Sequence, residues 1–182
     1  MHRCRQQARI RAEVFWQLDF LIRPARWLVA AALGLTACSA APKTPALPAN
    51  FPDLSAFTEE TSANFTQSGT GFTAPNEVSC VLDFGPHEIT VCNGNIPGVP
   101  SSVPGSGCVL VHKADPATSN APYVFQRSGT ECASSRRPHI TTGRKLTTKN
   151  STCAIGDAGL IACIDADNKH GFVLQPSGSW AF

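Results

Sequence analysis

From Phe72 onward the chain sets short apolar runs between Gly, Pro and Asn, with many β-branched residues and little recurrence at helical spacing. That texture predicts strands rather than helices. The candidate strands are 79–84, 88–92, 107–112, 122–126, 145–148, 152–156, 160–164 and 171–175. The stretch 93–107 holds three prolines and four glycines, which defeats any ladder and predicts an irregular loop. Seven or eight antiparallel strands in a segment of this size predict an all-β fold, a small disulfide-stapled antiparallel sandwich or partly closed barrel over residues 72–182. The terminal Trp180-Ala181-Phe182 is expected to complete an edge strand and to plug the core.

The pattern upstream is different. Arg23 and Arg26 precede the nine-residue apolar run Trp27 to Leu35, which is too short to cross a membrane as a helix of about 20 residues. A positive segment, a short apolar run and small residues are the parts of an export signal. The run ends in Leu35-Thr36-Ala37-Cys38, which resembles a bacterial lipobox, where the leader is cleaved and the cysteine receives a diacylglycerol thioether. The expectation is a discarded leader over 1–37 and a mature chain that starts at Cys38. Residues 38–71 then read as the lipidated cysteine and a Pro/Ala/Ser/Thr-rich tether, with a flexible span of about 30 Å. Phe51-Pro52-Asp53-Leu54, Phe57 and Phe65 interrupt this polar composition and leave open whether part of the tether docks on the domain.

Removing the leader changes the charge. The whole chain carries +2, but six of its fifteen basic residues and only two of its thirteen acids precede Cys38, leaving nine against eleven. A balance of −2 argues against nucleic acid as a partner, which usually draws a clearly basic domain. Of eight cysteines, Cys4 lies in the leader and Cys38 is the lipidation site, so six remain between residues 80 and 163. An even number in an exported domain predicts three disulfides. No Cys-x-x-Cys pair is present and successive cysteines have at least nine residues between them, a spacing unsuited to thiolate zinc.

Opposing Cys153 to Cys163 pairs Ile155 with Ile161 and leaves Asp157-Ala158-Gly159 as a loop, with Gly159 where a left-handed residue is wanted. Opposing Cys80 to Cys92 pairs Val81 with Val91 and Asp83 with Ile89, around Gly85-Pro86-His87. Directly opposed cysteines are within disulfide reach. The sequential pairing Cys80–Cys92, Cys108–Cys132 and Cys153–Cys163 follows, the middle pair by elimination. Each bridge would contribute about 2–4 kcal/mol.

Candidate chemistry is sparse. Asp165-Ala-Asp167-Asn168-Lys169-His170-Gly171 spaces oxygen ligands like a calcium loop, but Lys169 occupies a ligand position and no closing Glu follows, so a hairpin turn accounts for it better. His87, His112, His139 and His170 have no Gly-x-Ser-x-Gly elbow to serve, and Ser106 has only loop context. No catalytic constellation and no metal-ligand set emerge. Arg136, Arg137, Arg144 and Lys145 form the centre of a +5 stretch over 127–149, a candidate anion-binding patch for phosphate, sulfate or anionic headgroups, or else a solvated loop face.

Phe51-Pro-Asp-Leu54 after the tether, Phe72-Thr-Ala-Pro-Asn-Glu-Val-Ser-Cys80, the Pro-rich stretch before Cys108, and Cys153 to Cys163 followed by Gly171-Phe172 resemble a family of uncharacterised secreted and lipid-anchored proteins of mycobacteria and related actinobacteria. The resemblance covers residues 51–182 and implies an envelope location. Its cysteines, prolines and glycines specify a scaffold, so no catalytic residue carries over. The expected protein is non-enzymatic, attached to the extracytoplasmic face of the cell membrane through its lipid anchor. It needs no cofactor beyond the acyl chains on Cys38, and its partner is an envelope component or a host protein. The alternatives are an inhibitor or enzyme acting on host proteins or wall polymers, with 93–107 as the inhibitory loop, and a lipid or glycolipid carrier.

Overall fold

The structure is a computed structural model that describes residues 46–67, 69–132 and 136–182. The expected leader, the Leu35–Cys38 motif and the first residues of the expected tether lie outside the described residues. The strands are β1 (Thr58–Glu59), β2 (Gly71–Thr73), β3 (Ser79–Phe84), β4 (Ile89–Gly94), β5 (Val109–Lys113), β6 (Tyr123–Arg127), β7 (Arg144–Thr147), β8 (Ser151–Ile155), β9 (Ile161–Asp165), β10 (Gly171–Leu174) and β11 (Trp180–Ala181). All eight sequence-predicted strands are present, with no end shifted by more than two residues.

Two antiparallel meanders make the fold, one per sheet. The first sheet runs β2-β3-β4-β5-β6 and the second runs β7-β8-β9-β10-β11, with β1 added in parallel to the outer edge of β7. The arrangement is a two-sheet sandwich, not a closed barrel. Equivalent positions of the two meanders carry equivalent residues. One inward row of the first reads Phe72, Cys80, Cys92, Val111, Phe125, and that of the second reads Leu146, Cys153, Cys163, Phe172, Ala181. All ten belong to the main apolar core or pack against it. The sheets present these rows to each other because side chains alternate faces along a strand.

The disulfides are Cys80–Cys92, Cys108–Cys132 and Cys153–Cys163. The first and third join directly opposed residues of a hairpin, with Cα atoms 4.0 and 4.1 Å apart. In the β8–β9 hairpin Ile155 faces Ile161, the Gly156 amide donates to the Leu160 carbonyl at 2.9 Å, and Gly159 takes a left-handed φ of 77°. The β3–β4 hairpin departs from simple pairing. Val81 faces Val91, but Ile89 faces Phe84 rather than Asp83, because a bulge lies between Val81 and Phe84. Asp83 adopts a left-handed φ of 56° in that bulge. Its carboxylate is thereby aimed at the other sheet, where Thr148 Oγ1 donates to it at 3.0 Å.

Residues 51–67 and 69–71, read as tether from their composition, pack on the sandwich. Phe51 and Phe65 are buried, β1 pairs with β7, and Gly71 opens β2. Phe51 covers the outer face of the second sheet, where Ala162, Ile164 and Val173 form a second apolar cluster. Trp180 and Phe182 belong to this outer cluster, and only Ala181 faces the main core. β11 is an edge strand as expected, but its aromatic pair does not plug the interior, since alternation sends Trp180 and Phe182 to the same outer face. The rings of Phe51 and Phe182 meet edge to face at 5.7 Å.

The 93–107 loop lies along the turn after β10. The Ser179 amide donates to the Gly98 carbonyl and the Ser179 hydroxyl to the Pro97 carbonyl, both at 2.6 Å. A side chain at Gly98 would place its Cβ 2.2 Å from the Gln175 carbonyl oxygen, so glycine is required there.

Phe51→Ala should destabilise the domain by about 3–5 kcal/mol, as for a large buried aromatic, and Phe182→Ala, whose ring is only partly buried, by less. The double variant should lose less than the sum by about 0.5–1.5 kcal/mol, because the two rings touch. Urea unfolding of the four proteins checks this; strict additivity would show that residues 51–57 do not dock.

Candidate functional site

Side chains at one end of the sandwich change from apolar to polar. One step beyond Val111 on β5 the inward position is Lys113, and one step beyond Cys163 on β9 it is Asp165. Lys113 is 1% exposed, and its ammonium pairs with Asp165 Oδ2 across the two sheets. Tyr123, opposite Lys113 on β6, donates its hydroxyl to Asp165 Oδ1 at 2.6 Å, and the Lys113 ammonium lies 4.0 Å from the centre of its ring. Beside them Thr90 Oγ1 donates to Ser151 Oγ at 2.8 Å, again from one sheet to the other. Burying an ammonium is costly unless it is paired, and here a carboxylate and a ring face satisfy it. Removing one partner of such a pair typically costs about 3–5 kcal/mol.

This polar floor opens into a cleft of ≈ 250 Å³. Its walls are turns that the meanders bring to the same end: 85–88 between β3 and β4, 114–122 between β5 and β6, 148–150 between β7 and β8, and 166–170 between β9 and β10. Asn150 ties two walls together, donating through Nδ2 to Glu88 Oε2 at 2.7 Å, while its carbonyl accepts from the Ala166 amide at 2.8 Å. The Asn150 amide, and then Lys149, hold the Glu88 carboxyl below its ordinary range. Burial raises Asp167, but hydrogen bonds from the Lys169 amide and ammonium and the charge of His170 outweigh it, so its carboxyl is also lowered. Burial, and then the Asp165 carboxylate, push the Tyr123 phenol far above its ordinary value. A phenol held protonated this way donates a hydrogen bond and does not serve as a base.

The sequence-level candidates are distributed as follows. Residues 165–171 form the β9–β10 hairpin turn, closed by the Asp165 amide donating to the His170 carbonyl at 3.0 Å, with Asn168 at φ 59°. His87 lines the cleft. His112 faces away from it, with Nε2 2.8 Å from Gln126 Oε1 and Nδ1 2.7 Å from the Lys113 carbonyl. His139 lies in the strip that flanks the free edge of β2, and Ser106 is exposed in its loop. The basic residues 136–145 serve the 54–69 segment. Arg144 Nε approaches Glu60 at 3.5 Å, Lys145 Nζ donates to the Leu54 carbonyl at 3.0 Å, and Arg137 Nη1 reaches the Gln67 and Gly69 carbonyls at 3.4 Å. Arg136 is exposed. Three of the four patch cations therefore act as clasps for that segment.

Three sulfurs, those of Cys80, Cys92 and Cys163, lie within 4.8 Å of one another at the centre of the core. They belong to two disulfides, which offer no thiolate to a metal. Comparison with protein-family models, with curated proteins and with solved structures finds no match for this chain.

Sequence reasoning missed Lys113, Tyr123 and Asp165 as a group. The available signal was alternation: Val109, Val111, Lys113 and Ile161, Cys163, Asp165 each extend an inward-facing series by one charged residue.

Tyr123 is the only tyrosine in the chain, so phenolate absorbance follows it directly. Its folded pKa is raised, so the folded state keeps a proton that the unfolded state loses near pH 10, and this contribution to stability disappears as pH rises beyond that value. In an alkaline titration the phenolate signal should therefore appear only together with the loss of near-ultraviolet circular dichroism. A titration near pH 10 in the folded protein would contradict the buried hydrogen bond to Asp165.

Proposed function

We propose that this chain is a lipid-anchored, extracytoplasmic binding module of a cell envelope, without catalytic activity, whose binding face is the cleft over Lys113 and Asp165. The observation that carries the reading is cysteine parity. All six cysteines from Cys80 to Cys163 are consumed in three disulfides. Such a set persists in an oxidising compartment outside the cytoplasm. Cys38 is then the remaining cysteine downstream of the apolar run, in the sequence context of a lipidation site. A diacylglycerol on its sulfur supplies two chains, enough for stable attachment where one chain is marginal.

The shape of the molecule suits the role. The segment that follows the anchor is clasped along β7, at the edge of one sheet, while the cleft is built from turns at one end of the sandwich. A carrier of lipid would need an apolar cavity between the sheets, and that space is filled by disulfides, Phe72 and Phe172. The Tyr123 phenol in the floor of the cleft is held protonated by burial, so it donates a hydrogen bond and does not act as a base.

Metabolic labelling with an alkyne-bearing palmitate in a bacterium that processes lipoproteins tests the anchor. The wild-type chain should take up label and partition with membranes, and Cys38→Ala should do neither while keeping its three disulfides. Equal labelling of the two proteins, or an unlabelled wild type, would overturn the proposal.

A further inference from the structure

Each carboxylate in the lining of the cleft has its own lysine. Glu88 is 3.5 Å from Lys149 and Asp167 is 3.1 Å from Lys169, while Asp165 pairs with the buried Lys113. These pairs leave little net charge to attract a metal cation or an anion. What the cleft offers instead is hydrogen-bonding groups of both kinds, several already fixed. Asn150 Nδ2 is held between Glu88 at 2.7 Å and Asp83 at 3.3 Å, and the exposed Ser119 and Asn120 on the opposite wall carry both donors and acceptors. Groups held in place before binding lose less entropy on capture of a ligand.

An apolar surface adjoins the polar one. Phe84, Pro86, Pro116 and Ala117 line a shallow hollow of ≈ 300 Å³ that shares His87 and Ile89 with the cleft. Phe84 is 54% exposed, the most exposed of the large apolar side chains among the described residues. It directly follows the Asp83 bulge, where β3 ceases to keep its simple alternation. Phe84 is not isolated: with Pro86, Pro116 and Ala117 it makes a contiguous apolar patch rimmed by the polar cleft, the arrangement of a contact surface.

A polar cleft whose carboxylates are each paired with a lysine, next to an aromatic and prolyl face, has the chemistry that recognises a neutral sugar. Ring hydroxyls satisfy planar carboxylate and amide groups, while the C–H face of a pyranose lies against an aromatic ring. We infer that this end of the sandwich binds an uncharged saccharide, with Phe84 as the stacking surface and Glu88, Asn150 and Asn120 as hydroxyl partners. At ≈ 250 Å³ the cleft falls below the roughly 300–1,000 Å³ of pockets that enclose a whole drug-sized ligand, so it takes one ring of a longer chain. The inference rests on the reading of the protein as a binding module and is independent of its anchor.

The test uses full-length protein extracted in mild detergent and passed over beads bearing dextran, mannan, galactan or arabinan, with heparin beads as the charged comparison. Wild type should be retained by at least one neutral polymer and released by the matching free sugar. Phe84→Ala and Glu88→Gln should each weaken that retention about tenfold, whereas Arg136→Ala should not. No retention on any neutral polymer, retention on heparin alone, or unchanged retention of Phe84→Ala would overturn the inference. A photo-crosslinking amino acid substituted at Ala117 separates the two levels of the argument. Capture of a protein through that position, without polysaccharide retention, would overturn the saccharide and keep the binding module. Neither capture nor retention would overturn both.

Discussion

Two disulfides packed against each other at the centre of the sandwich are the contact on which the rest of the molecule depends. Cys80–Cys92 clamps the second and third strands of one meander, and Cys153–Cys163 clamps the same two strands of the other. Because both bridges join directly opposed residues, each fixes its hairpin in one register, and a slip by one residue would turn every core side chain outward. The sulfurs of both bridges meet in the interior, so the two registers also fix how the sheets face each other. Phe72, Val111, Leu146 and Phe172 then fill the space on either side. A sandwich of this size gains little from its core alone, which makes the bridges a large share of what holds it together.

Fixing the register also decides where the polar end lies. With cysteines at the middle of the strands, the next inward positions toward one end are Thr90, Lys113, Tyr123, Ser151 and Asp165. Their hydrogen bonds and ion pair run between the sheets, so this end is held by directional contacts and the other by apolar packing around Ile155, Ile161 and Leu174. Four turns rise from the polar end and form the cleft. The ion pair at its floor needs nothing from a ligand, because the buried charges already satisfy one another.

Much of the scaffold was legible in the sequence, for physical reasons that particular residues make plain. Eight strands were readable because each is long enough to show its composition, and both clamped hairpins because a cysteine pair and a glycine at the loop define one register. β1 and β2 escaped notice. They are two and three residues long; β1 lies in a segment whose prolines, serines and threonines resemble a linker, and β2 straddles the end of that segment. That segment is held by Phe51 and Phe65 and by cations of Arg137, Arg144 and Lys145, contacts made with residues about 70 to 130 positions away. The bulge at Asp83 was invisible too, since nothing local distinguishes it from a regular pair; its partners Thr148 and Asn150 lie in the β7–β8 turn of the other meander. The site was the least legible part. Lys113 and Asp165 each sit one residue past the predicted end of a strand, where a charge is the ordinary signal that a strand has ended.

The most direct measurement is peptide mapping of the unreduced full-length protein by mass spectrometry, with free thiols blocked before digestion. The account requires three linked peptide pairs, joining Cys80 to Cys92, Cys108 to Cys132 and Cys153 to Cys163. A bridge between the first and third pairs, such as Cys80 to Cys163, or blocked thiols at any of these six positions, would contradict the two clamped hairpins on which the fold and the cleft are built.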